Sequence, residues 1–194
     1  MRLAHLENAF ENLRESGYHK YPISSKTPEF KGYNCIAWAA GDDQKRWWPH
    51  KENPFLFFWP PHLQREKENQ ETLENFIRAF EWKGYRRGCI NGKLEKGIEK
   101  IAIYTIAGIP KHAARQLESG RWTSKCGNSE DIQHETLLGV EGKIYGKAVY
   151  FMHRRRDGKP FWKERILGFF KRILGKVPIR FRLALHPADG GLMF

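Results

Sequence analysis

The sequence predicts an α+β fold, in which helices pack on an antiparallel sheet and a basic amphipathic helix follows at the C-terminus. Three observations carry this reading. Two stretches in the first half have helical apolar spacing, runs with β alternation succeed one another in the second half, and positive charge gathers after residue 153.

Leu3, Leu6, Phe10 and Leu13 recur at helical spacing, so the chain opens on an amphipathic helix that ends near Gly17. Between Trp47 and Pro61 lies WWPHKENPFLFFWPP, too rich in proline for a regular helix and so an ordered loop. Its rings suit two roles, a cap over the hydrophobic core or an aromatic wall that receives an apolar group. From Gln70 to Tyr85, Leu73, Phe76, Ile77 and Phe80 mark a second helix, with Thr72 as its cap and Gly84 as its stop. A strand around Tyr85 to Ile90 and the turn Asn91-Gly92 lead to Glu99–Thr105, whose alternation is that of a strand. A turn through Ala107-Gly108-Ile109-Pro110 then opens a second strand with His112 at its start. Arg121–Lys125 reads as the next strand, Ser129–Leu138 as a short helix, and Tyr145–His153 as a closing strand.

Composition narrows the function classes. With 194 residues and 40% apolar content the chain can bury the core of one ordinary domain. Three cysteines, Cys35, Cys89 and Cys126, form no CxxC pair, which argues against a disulfide scaffold, and the scattered histidines offer no metal spacing. Cys89 and Cys126 read as packing residues. Glu7, Glu11 and Glu15 interrupt any signal-peptide core, and no run of eighteen apolar residues exists, so a soluble, cytoplasmic protein is expected.

Chemistry points to Cys35 and His112. Pro28 and Gly32 break the chain before Cys35 and an apolar, alanine-rich run follows, so the thiol stands at a helix start with Asn34 as cap. Free N–H groups and the helix dipole there favour a thiolate, although a free cysteine in such a run also serves as ordinary core. A histidine held on a hairpin has the rigidity that a general base for this thiol needs.

The order of Cys at a helix start, a strand IAIY, a Gly-containing turn and His-Ala resembles the NlpC-type cell-wall endopeptidases, a branch of the papain-like cysteine peptidase superfamily, over about Tyr33 to Tyr150. More closely, YNCIAWAAGD, WWP, EKIAIY, HAARQLESGRWTSKCG, DIQH and YGKAVYFMHRR resemble an uncharacterised bacterial domain family usually grouped with that fold. Taken with the change in charge after residue 152, the reading is a papain-like domain over 1–152 and a basic amphipathic tail over 153–194. The resemblance implies Cys35 as nucleophile, His112 as base, and a third polar residue among Ser124, Asp131 and His134, with His134 favoured because some members of the branch carry a second histidine there. Tyr33 and Asn34 would supply an oxyanion donor beside the backbone N–H of Cys35, and Trp38 would form part of the site wall. Asn34 and Trp38 depart from the acid and small residues usual around the NlpC-type cysteine, so peptidoglycan specificity is not implied.

The implied reaction is hydrolysis or transfer at a peptide-like amide, with neither metal nor organic cofactor. A second reading is a catalytically silent domain that binds through its tail. Between His153 and Arg182 eleven cations face only Asp157 and Glu164, and Phe161, Trp162, Ile166, Phe169, Phe170 and Ile173 line one side of a helix over Phe161–Leu174. That pattern over 154–182 suits an anionic membrane surface or acidic partner, and also nucleic acid.

Overall fold

The computed structural model describes residues 3–21, 32–50, 56–63, 71–159 and 161. Its contacts divide the chain into units of Met1–Gly158 and Lys159–Phe194. Helix α1 spans Ala4–Ala9, β1 Tyr18–Lys20, α2 Cys35–Ala40, α3 Leu73–Trp82, β2 Arg86–Cys89, β3 Ile98–Ile106, β4 Ile109–Gln116, β5 Trp122–Lys125, β6 Asp131–His134 and β7 Lys147–Arg155, with a 3₁₀ turn at Leu137–Val140. All seven strands join one antiparallel sheet in the order β1-β6-β5-β4-β3-β7-β2. The α+β class follows, and no helix among the described residues is long and apolar enough to cross a membrane.

Strand alternation divides the core in two. On one face Ile101, Ile103, Ala113 and Met152 pack with α2, α3, Trp47 and Trp59. On the other, Ala102, Tyr104, Ala114 and Ile132 pack with Leu3, Leu6, Phe10 and Leu13 of the N-terminal segment. The spacing expected of those four residues is thus their burial pattern, although regular helix stops at Ala9 and turns complete the segment to Gly17. Helix α3 starts on Thr72, whose side chain accepts from the Asn75 N–H at 3.3 Å, and Gly84 at φ 82° follows it.

Ala107 at φ 50° and Gly108 at φ 80° close the β3–β4 hairpin as a two-residue turn, so Ile109 and Pro110 belong to the strand. A register shift lies just before His112, which pairs with Tyr104. The short helix expected over Ser129–Leu138 is instead β6 followed by the 3₁₀ turn. Pairing of Lys125–Trp122 with Asp131–His134 satisfies that backbone and buries Ile132 and His134, which a solvent-facing helix could not do.

Strand β7 runs past the expected boundary at 152. Arg154 binds Glu99 through Nε at 2.8 Å, and Arg156 donates to the Gln116 carbonyl at 2.8 Å, so these cations belong to the sheet. The expected basic helix lies outside the described residues, Phe161 apart.

Gly146 is a point of close approach. A Cβ there would lie 1.9 Å from the Thr105 carbonyl oxygen, and its φ is 76°. Gly146→Ala is therefore expected to destabilise the fold by at least about 2 kcal/mol, read as a lowered denaturation midpoint.

Candidate functional site

Helix α2 is built to hold Cys35 against the sheet. The Asn34 side chain accepts from Ala37 N–H and from Trp47 N–H, each at 3.1 Å, and donates to the Trp47 carbonyl at 2.8 Å. One residue therefore caps the helix and clamps the aromatic loop to it. Asn34→Ala is expected to cost about 2 kcal/mol in denaturant titration, more than a cap alone, because it also releases Trp47.

The Cys35 thiol is buried and donates to the Lys111 carbonyl at 3.9 Å. The N–H groups of Ala113, Ile36 and Cys35 itself also reach the sulfur. The sulfur is thus bracketed by the two peptide groups that flank His112. Burial pushes the thiol up to about 11, with those N–H groups and the Lys125 charge pulling the other way. The thiolate expected from the helix start alone is therefore not the resting form, since desolvation outweighs the dipole.

His112 is fully buried and lies across the strand from Ala113. Its ring stacks on Tyr145 at 4.0 Å between centroids and meets Tyr104 edge-on at 5.3 Å. Its Nε2 lies 2.9 Å from Ser124 Oγ, which lies 2.9 Å from His134 Nε2, and His134 Nδ1 lies 2.7 Å from the Thr136 carbonyl. Burial holds both imidazoles neutral, His134 down to about 4 and His112, with His134 adding to the effect, well below its ordinary range.

That chain has one proton order. A carbonyl only accepts, so His134 carries its proton on Nδ1 and its Nε2 accepts from the Ser124 hydroxyl. The Ser124 oxygen then accepts from His112 Nε2–H. His112 Nδ1 is left as a bare lone pair, buried and without a hydrogen-bond partner. The Cys35 thiol donates to Lys111 instead.

The other expected residues serve elsewhere. Tyr33 donates to Asp131 Oδ2 at 2.5 Å, so Asp131 stands apart from the imidazole chain and the Tyr33 proton is already engaged. Asp131 and burial raise the Tyr33 hydroxyl well above its ordinary value, burial first. Trp38 is buried, stacks on Tyr33 at 5.7 Å and donates to Thr123 Oγ1 at 3.2 Å, all of which are packing contacts. Trp47 and Trp59 are buried with Phe76 in the core, so these two rings of the aromatic loop cap it.

Three neighbours of the thiol carried no sequence signal. Tyr145 reads as the start of a strand yet covers His112. Lys125 ends β5 and Cys126 follows it, and burial, then the nearby Cys35, raises the Cys126 thiol. Among the described residues no group of three or more His, Cys, Asp or Glu could hold a metal ion.

The model of the family described as "Domain of unknown function (DUF7689)" matches residues 24–153, which include Cys35, His112, Ser124 and His134. No curated protein and no solved structure matches the chain.

Proposed function

We propose that this chain, which belongs to the DUF7689 family of unknown function, is a thiol-dependent hydrolase or acyltransferase acting on a peptide-like amide, with a papain-like arrangement of the NlpC type. The observation that carries the reading is the proton order from Thr136 through His134 and Ser124, which leaves Nδ1 of His112 a bare base on the strand segment that brackets the thiol.

In this reading the thiol and the His112 ring, which share no hydrogen bond at rest, come within reach as substrate arrives, and the S–H turns from the Lys111 carbonyl to His112 Nδ1. The proton passes to Nδ1 while sulfur bonds to the acyl carbon, and the carbonyl π pair moves to oxygen. The N–H groups of Cys35 and Ile36 at the helix start are the donors available to that oxyanion. On collapse the C–N bond breaks and imidazolium returns its proton to the leaving amine. Water, deprotonated by the same nitrogen, then hydrolyses the thioester, or an amine takes the acyl group. Ser124 and His134 hold the tautomer and ring plane that make Nδ1 the acceptor, the role of an orienting partner in such triads. A thiol held neutral at rest is consistent with transfer of its proton during attack.

Incubation with p-nitrophenyl acetate followed by peptide mass mapping tests this. The expected result is one acetyl group on Cys35, none on Cys89 or Cys126, and none in Cys35→Ala. A folded protein in which Cys89 is acetylated and Cys35 is not would overturn it.

A further inference from the structure

We propose that Lys125 is a positioning residue for the thiol, a buried ammonium that stabilises the anion formed at Cys35 from the sheet face opposite the imidazole chain. Its part in the reaction rests on the function proposed above, whereas its effect on the sulfur does not.

Neighbours on a strand point to opposite faces. Ser124 joins the two histidines, and Lys125, the next residue, has its Nζ 5.8 Å from the centre of the Tyr33 ring, two residues before the thiol. Helix α2 packs on β4 and β5. Lys125 is 1% exposed, and its ammonium donates to the Ser129 carbonyl. It pairs across the ladder with Asp131, whose carboxylate accepts a hydrogen bond from the Tyr33 hydroxyl.

A buried lysine is costly unless its charge is used. Asp131 faces it across the ladder. The thiol is a second, conditional partner, neutral at rest and negative during attack. The ionisable groups near this position are Asp131 on β6, Tyr33 before α2, Cys35 on α2, and Cys126 and Glu130 in the β5–β6 turn; the Lys125 charge favours ionisation of both Cys35 and Cys126. A positive charge near the sulfur favours its anion, so loss of the Lys125 ammonium leaves less thiolate at a given pH.

The test is the pH profile of iodoacetamide alkylation at Cys35, resolved by peptide mass spectrometry, with His112→Ala as the parent so that no base assists. In that background Lys125→Met is expected to move the profile to higher pH and slow alkylation at a given pH below the midpoint. Lys125→Arg, which keeps the charge, stays near the parent rate. Asp131→Asn, which removes the opposing carboxylate, speeds alkylation several-fold and keeps the idea testable if the methionine variant does not fold. Profiles in the methionine and asparagine variants that superimpose on the parent would assign Lys125 a structural role only. Absence of acetylation at Cys35 would sink the proposed function while leaving this charge effect intact.

Discussion

His112→Ala is expected to slow acylation of Cys35 by about two to four orders of magnitude at neutral pH, the usual worth of a positioned general base. The expectation rests on two features together. The thiol is pushed up to about 11, so its anion is scarce near pH 7 and unassisted attack is slow. The His112 imidazole is neutral and bare on Nδ1, so the acceptor for the thiol proton is present in nearly every molecule. Ser124→Ala should act in the same direction but less strongly, because it leaves the base in place and removes only the bond that fixes its tautomer. It also leaves buried imidazole nitrogens unpaired, a stability cost of about 1–3 kcal/mol that a melt at fixed pH measures separately. Equal acylation rates in wild type and His112→Ala would remove the base from the account.

The second large effect is on stability against acid. His134 has its folded pKa lowered to about 4 against about 6.5 when exposed, and His112 is shifted in the same direction. Between those values the unfolded chain binds more protons than the folded one, so stability rises with pH. The contribution is full above about pH 6.5 and falls away as pH drops toward 4. A shift of this size at one buried imidazole is worth about 3 kcal/mol, and His112 adds to it. Urea midpoints should therefore fall steeply from pH 7 to pH 4.5, and His134→Gln, which cannot take up that proton, should flatten part of the slope. A midpoint unchanged across that range would mean the histidines are exposed or charged in the folded protein.

Both expectations depend on residues whose visibility in the sequence differed. Cys35 and His112 are legible because their cues are local: a cap and a breaker before the thiol, and an alternating run with a tight turn before the histidine. Ser124 and His134 are visible as candidates but not as a chain, since their alignment needs the register that pairs Trp122 with His134 and Ser124 with Ile132. That register was hidden because Ser129–Leu138 has apolar spacing compatible with a short helix, and periodicity over so few residues does not separate the two. The separation of Asp131 from the chain follows from its bond to Tyr33, a contact across 98 residues with no local signature.

Burial misled in a different way. The helix start argues for a thiolate, and its N–H groups do reach the sulfur. Local sequence does not reveal how completely the sheet and α2 exclude water, and that exclusion reverses the sign. The aromatic loop shows the same limit, since its composition allows wall or cap and only packing against Phe76 and α2 assigns Trp47 and Trp59 to the core.

The most direct test is the pH dependence of single-turnover acylation of Cys35 by p-nitrophenyl acetate, between pH 5 and 9, in wild type and His112→Ala. With His112 as base the wild-type rate should be nearly flat through neutrality, because burial keeps Nδ1 free well below the ordinary imidazole range, while the variant rate should be far lower and climb about tenfold per pH unit as thiolate forms. A wild-type rate that itself climbs tenfold per unit through pH 7 to 9, and superimposes on that of His112→Ala, would contradict the account.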